Sequence, residues 1–564
     1  MRKSLGISER SNQSLIIGFV IALIPVIPYI TVLITLERFS YFTFGGSQDQ
    51  TSYVARAHAF WLGLNPGLLS GAPEGPDSGQ INNVDKIFSI FGLIFRQQEA
   101  VFPFVFFAIY LFSILALLYC LRTFNSSLPT QISSYLGVAV SFLVLPQLIQ
   151  NRSISFPITL SAYRWPFPMV HFCLVLLTLT FILIKPKRPV LILSLLIGIS
   201  FYTYFYSWQI ILALVASSAL FNLGFGNLDK VKELLKSILI GCLLGLPAVR
   251  SLFLSRVNLQ DNDRIFFETI NNVAYTHKPH FTLTMMVLLV FTIYFWIKGG
   301  ESKEFHLSFV SFLTSVLIYN QQIFTGIVVQ PGHYHWYFIQ PISYLIFYIC
   351  LRVIFRSLHA YKMFCSLGAI LLLSVQFISL NESIQSVRTI SINSKSSKNE
   401  PNPYFKYITF ESPISDYLVV NSKLIPVFNS DYGPLYTPAF EKTIDSLLIY
   451  SYMKVQNPTV KNVVNYALSC AESENSICGW RRNLEDTLLQ RENLENQSLQ
   501  DLLTVRLSIN PNLFYKTYLL ENNIGYFFTS APATLIDVER LHLKSKRFTY
   551  TSGVYYYSVR GIES

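Results

Sequence analysis

Apolar residues gather along this chain in recurrent runs close to twenty residues long, separated by short polar or basic stretches. Runs of that length, wound as α-helices, match the hydrocarbon thickness of a bilayer. The first is 14–36, and further spans are predicted near 101–121, 131–149, 169–184, 189–206, 209–225, 237–254, 281–297, 307–320, 338–355 and 363–380, about eleven in all. Run 14–36 is too long for a signal-peptide core and no small-residue cleavage site follows it, so it reads as a retained span.

Composition agrees with the pattern: 51% of the 564 residues are hydrophobic and only 13% are charged, which places the chain among polytopic membrane proteins. The net charge of +11 does not point to nucleic acid, because the basic residues lie in short clusters between apolar runs and not on one amphipathic face. With the N-terminus cytoplasmic, Arg2, Lys3, Arg10, Arg122, Lys185, Lys187, Arg188, Lys230, Lys232, Lys236, Lys298, Lys303, Arg352, Arg356 and Lys362 fall in short inner segments. That distribution satisfies the positive-inside rule and predicts a multi-pass protein of the plasma (inner) membrane.

An odd number of spans puts everything after Leu380 on the outer side. The expected organisation is a transmembrane domain over 1–380 with a large first outer loop at 37–100, a Ser- and Asn-rich linker at 381–402, and an extracytoplasmic α/β domain over 403–564. Within that domain "DYLVVNS", "LIPVFNS", "IGYFFTS" and "GVYYYSVR" are predicted strands, while Glu441 to Leu507 carries mostly helical spacing. Cys470 and Cys478 both fall there, where an oxidising environment permits a disulfide. Cys120, Cys173, Cys242, Cys350 and Cys365 sit in apolar runs as small hydrophobes, and no cysteine spacing suits zinc.

The first outer loop opens with "GGSQDQTSYVARAHAFWLGLNPG", where Asp49 stands alone between two glutamines. Tyr53, Val54, Ala57, Phe60, Trp61 and Leu64 then share one face of a helix lying along the membrane surface. Asp49, Ser47 or Thr51 can cap that helix; alternatively, a carboxylate at the water–lipid boundary can act as a general base.

This first span, the acid just beyond it, "Y..RA..FW.G..PG" and the glycine-rich "GAPEGPDSGQINN" together resemble the GT-C superfamily of integral membrane glycosyltransferases, which includes YfhO-like bacterial members. The likeness extends to short inner loops, elaborate outer loops and a C-terminal extracytoplasmic domain. It implies a mainly α, polytopic GT-C-like fold and an inverting enzyme that moves a sugar from a polyprenyl-phosphate donor to a glycan or lipid acceptor outside the cytoplasm. Asp49 would be the base. Many members carry two adjacent acids where this chain reads "SQDQ", and Gln48 is a poor substitute for an ionised metal ligand.

A departing lipid phosphate needs cations, and the outer face offers Arg56, Arg152, Arg164, Arg250, Arg256 and Arg264. Arg56, Arg164 and Arg250 are the substrate-binding candidates, with interface anchoring as the alternative role. Asp77, in the glycine-rich piece, is a further candidate. Asp261 and Asp263, in "DND", are the candidate ligands for a divalent cation, magnesium or manganese, although such pairs are common in solvated loops. The fourth outer loop, "NQQIFTGIVVQPGHYHWYFIQP", mixes amides, imidazoles and aromatic rings in the manner of sugar-binding surfaces, and Gln322, His333 and His335 are the candidates there. On a strand, His333 and His335 would point to opposite sides. "FYTYFYSWQ" reads as an outer hairpin whose tyrosines either anchor at the interface or line the same cavity. Two other function classes remain open: a transporter or flippase of a lipid-linked glycan, and a GT-C-like scaffold without chemistry.

Overall fold

A computed structural model of the protein describes residues 98–124, 169–184, 186–257, 261–270, 273–300, 302–354, 363, 406–409, 425–426, 440–470, 476–489, 498–508, 510–529, 536–551 and 554–560. Each predicted span on these residues coincides with a helix. The helices are Gln98–Arg122, Met169–Leu183, Pro189–Ser200, Ser207–Gly224, Leu228–Val257, Leu283–Gly299, Lys303–Tyr319 and Gln340–Ile354. Among the described residues, three helical stretches, Ser207–Gly224, Leu228–Leu254 and Lys303–Thr325, are long and apolar enough to cross a membrane. The predicted spans 14–36, 131–149 and 363–380 lie outside the described residues, save Met363.

The helices share one apolar core, yet much of their apolar surface faces outward. Only 22% of the most apolar window of helix 228–254 is buried, and Leu235, Leu239, Leu243, Leu246, Val249 and Phe253 are exposed along it. A helix apolar on both its packed and its exposed faces is made for lipid and not for water. Hydroxyl groups tie helices together inside, where Thr314 donates to Ser217 at 3.1 Å and Thr292 and Ser308 lie 2.9 Å apart.

Helices 189–200 and 228–257 approach closely because glycine lines their contact. A Cβ on Gly241 would stand 2.5 Å from Ile197 Cβ, and one on Gly245 would overlap the Phe201 ring. Helix 228–257 starts nine residues before the predicted span. Asn227 Oδ1 accepts the Lys230 N–H at 3.3 Å, and Asp229 complements the positive end of the helix dipole, so Lys230, Lys232 and Lys236 are helical and not in a loop.

The segment predicted as the fourth outer loop is more regular than its sequence suggests. A helical turn at Gln322–Thr325, strand β2 at Ile327–Val329, a turn at Pro331–Tyr334 and a π-helical turn at His335–Ile339 lead without a break into helix 340–354. His333 and His335 therefore lie on helical backbone and not on a strand. Strand β1, Val273–Tyr275, pairs antiparallel with β2, joining the segments predicted as the third and fourth outer loops.

The C-terminal region has its own core and a five-stranded mixed sheet of order β4-β3-β5-β7-β6. β3 (Lys406–Ile408), β4 (Ile425–Pro426) and β5 (Ile524–Thr529) run parallel, while β6 (Leu543–Thr551) and β7 (Val554–Val559) add antiparallel. The helices Phe440–Lys454, Val460–Ser469, Ser476–Leu489, Leu499–Arg506 and Pro511–Glu521 form the crossover from β4 to β5. Cys470 and Cys478 are joined by a disulfide, and Arg506 grips the Asp445 carboxylate through two hydrogen bonds of 2.8 and 3.1 Å. Of the predicted strands, "IGYFFTS" and "GVYYYSVR" are β5 and β7, Ile425–Pro426 of "LIPVFNS" is β4, and "DYLVVNS" lies outside the described residues.

Candidate functional site

The described segments 201–209 and 320–337 meet at one end of the helix bundle. Tyr204 and Tyr206 leave helix 189–200 in a tight turn, Gln209 opens the next helix, and Gln321 follows helix 303–319. The Tyr206 hydroxyl donates to Gln330 Oε1 at 3.0 Å. Gln321 Nε2 donates to the Tyr334 hydroxyl at 2.8 Å, and that hydroxyl in turn donates to Gln209 Oε1.

Around this chain of polar groups the rings form a cage. His333 lies 4.9 Å from Tyr206 and stacks on Tyr337 at 5.1 Å with 16° between planes. Tyr204 closes edge-on against Tyr337 at 5.7 Å, and Tyr206 against Tyr334 at 5.0 Å. Tyr206 and Tyr334 are buried, so neither serves as an interface anchor. Trp336 is half exposed and keeps the belt role open to it.

Two observations mark this cluster as more than packing. Gln330 holds φ at 42°, a left-handed backbone that costs a non-glycine residue of order 1 kcal/mol and is found where geometry matters. The second is His171, in the first turn of helix 169–183, whose ring is 6.5 Å from Tyr204. It is fully buried, and neither ring nitrogen has a hydrogen-bond partner among the described residues. A buried imidazole left so is costly and is a candidate to meet a ligand or water.

The sequence candidates fare differently. His333 is in the cage. His335, in the following turn, is partly buried, and its Nδ1 has no partner among the described residues. Gln322 is a strut: it is buried and its Nε2 donates to the Lys278 carbonyl at 2.9 Å, tying the two outer loops, while its neighbour Gln321 faces the cage. Arg250 is exposed near the end of helix 228–257. Asp263 accepts the Phe440 N–H and so caps helix 440–454 of the C-terminal domain, while Asp261 begins the short helix in which Asp263 itself lies, Asp261–Ile270. No group of three or more His, Cys, Asp or Glu that could hold a metal occurs among the described residues. Asp49, Arg56, Asp77 and Arg164 lie outside the described residues, as do the amphipathic helix after Asp49 and the disposition of Arg152.

Sequence reasoning missed His171, Gln209, Gln321, Gln330 and Tyr334. His171, Gln209 and Gln321 sit at ends of helices that the apolar pattern located, so polar residues within one turn of span ends were the available signal, while Gln330 and Tyr334 lie in the polar aromatic segment between two such helices.

The chain is thus a mainly helical protein with helices able to span a bilayer and a small mixed-sheet domain. No protein-family model matches it, and no curated protein matches its sequence.

Proposed function

We propose that this protein is a GT-C-like membrane glycosyltransferase of about eleven spans, with its C-terminal domain extracytoplasmic. It would move a sugar from a polyprenyl-phosphate donor, with inversion, to a glycan or lipid acceptor. The observation that carries the reading is the convergence of Tyr204, Tyr206, Gln209, Gln321, Gln330, His333, Tyr334 and Tyr337, from segments that meet at one end of the helix bundle, into a single polar aromatic cage. Amides and imidazole recognise sugar hydroxyls, and ring faces recognise C–H surfaces. In this reading Asp49 takes the proton of the attacking acceptor hydroxyl, while Arg56, Arg164 or Arg250 neutralises the departing phosphate.

The test follows radiolabelled sugar from polyprenyl-phosphate donors in membranes holding the wild type, Asp49→Asn or His333→Ala at matched expression. Transfer by the wild type, abolished in Asp49→Asn and reduced in His333→Ala, is the expected result. Asparagine still caps a helix, so a capping role alone would leave transfer intact. Uptake of lipid-linked sugar without transfer would favour a flippase instead.

A further inference from the structure

Between helix 261–270 and helix 283–299 the chain makes a rigid platform. β1 pairs with β2 in the register Tyr275↔Ile327, Thr276 N–H donates to the Gly326 carbonyl at 3.0 Å, and His277 Nδ1 lies 3.1 Å from the Ile323 carbonyl. Gln322 reaches Lys278, and the His280 N–H donates to Asn320 Oδ1 at 2.6 Å. Gly326, at φ 72°, makes the turn that a side chain would strain.

So well tied a segment would ordinarily turn its apolar residues inward, yet it presents them outward. Phe324 is 85% exposed, Leu283 82%, Tyr275 66% and Phe281 60%, with Ile323 and Ile327 also exposed. The patch runs directly into the outward stripe of helix 283–299, formed by Met286, Val287, Val290, Ile293 and Ile297 at helical spacing. That stripe is lipid-facing for the same reason as the exposed face of helix 228–254. Charge is equally one-sided: His277, Lys278 and His280 are exposed on the platform, and neither 269–300 nor 305–354 contains an Asp or Glu.

We propose that the β1–β2 platform is a membrane-seated wedge: Phe324, Phe281, Tyr275 and Leu283 lie in the boundary between headgroups and acyl chains, and Lys278 rests on the phosphate of an anionic bilayer lipid. Aromatic and aliphatic side chains beside a cation are the composition of an interfacial anchor. β2 is followed immediately by Gln330 and His333, so the wedge fixes the cage at the depth of lipid phosphates. The inference needs only that the helices span the membrane and does not depend on sugar transfer.

The experiment attaches an environment-sensitive fluorophore to the full-length protein at Phe324→Cys and, independently, at Phe281→Cys, with labelled wild type subtracted as background. The protein is placed in vesicles of phosphatidylcholine alone or mixed with phosphatidylglycerol. Expected are blue-shifted emission, quenching by a lipid spin-labelled near its headgroup and protection from aqueous iodide at both sites. Lys278→Glu should reduce the blue shift in the phosphatidylglycerol vesicles and leave it unchanged in phosphatidylcholine. Iodide quenching without lipid quenching at both sites overturns the wedge. So does protection that disappears on diluting the protein in the vesicles, since that identifies a second copy as the cover. Equal emission of Lys278→Glu and its parent in both lipids overturns the phosphate contact.

Discussion

The Asp263 carboxylate accepts the backbone N–H of Phe440 at 2.9 Å, so an acid in the segment between two bundle helices caps a helix of the C-terminal domain. Three residues on, Phe266 is fully buried in that domain's core, 5.5 Å from Phe440 and 5.8 Å from Trp480. Thr269 adds a hydrogen bond from Thr487 at 3.3 Å. Helix 261–270 thus belongs to the C-terminal domain in packing and to the bundle in sequence. This segment and the C-terminal domain must then lie on the same side of any membrane the bundle crosses.

Asp263→Ala removes a cap and should cost about 1 kcal/mol in the first turn of helix 440–454. Hydrogen exchange on the full-length protein should show those amides exchanging about fivefold faster. Asp263→Asn should recover most of the protection, because asparagine caps nearly as well. Unchanged exchange in the alanine variant would show that the bond does not stabilise the contact.

Phe266→Ala should be harsher, at about 3 kcal/mol, because a large ring leaves a closed core. Amides of Asp261–Ile270 should lose protection while those of helix 207–224 keep it. Loss in both regions would mean that the two cores unfold together, contrary to the separate clusters they form.

Gly241→Ala should lower the melting temperature of the detergent-solubilised protein, since its Cβ would press on Ile197 and the Ser194 carbonyl and force helices 189–200 and 228–257 apart. Gly224→Ala is the internal control: nothing lies within 4 Å of its Cβ position, and alanine favours the helix by up to about 1 kcal/mol. Equal melting temperatures for the two variants would remove the close-packing account.

Gln330 separates stability from function. Gln330→Gly relieves the left-handed backbone and gives up the Tyr206 hydrogen bond, so the melting temperature should change little. Gln330→Ala keeps the strain and loses the bond, and should melt lower by the equivalent of about 1 kcal/mol. If the cage binds sugar, both variants should lose transfer alike. Transfer that follows melting temperature instead would reduce Gln330 to a structural role.

The helices were legible because a twenty-residue apolar run has few other uses, and every predicted span on described residues is helical. Strands β5 and β7 were legible from their aromatic and β-branched runs. β3 and the highly charged β6 were not, because β6 reads "LKSKRFTYT" and gains its place by pairing with β7. The cage was half legible. His333 stood out in a polar loop, whereas His171 and Gln209 were hidden in apolar runs and acquire meaning only when separate helix ends meet. Gln322 misled by composition alone: of two adjacent glutamines, backbone direction decides which faces the cage.

The C-terminal domain should respond to acid through His542. This residue sits at φ 52°, beside the Tyr515 ring, and its imidazole is held below its ordinary value near 6.5, chiefly by burial and further by the Lys516 and Arg560 charges. A histidine depressed in the folded state binds its proton more readily when unfolded. Its contribution is therefore neutral above pH 6.5 and turns destabilising as pH falls below that value, levelling off only below the folded-state pKa. Because the ring is partly solvated, the loss should be small. Asparagine tolerates the left-handed backbone and does not titrate, so His542→Asn should flatten the response. The measurement is amide exchange of β5 in the full-length protein, corrected for intrinsic rates, at pH 7.5 and 5.5. Wild type should lose more protection than His542→Asn on acidification. An equal loss in both would assign the acid sensitivity to other groups.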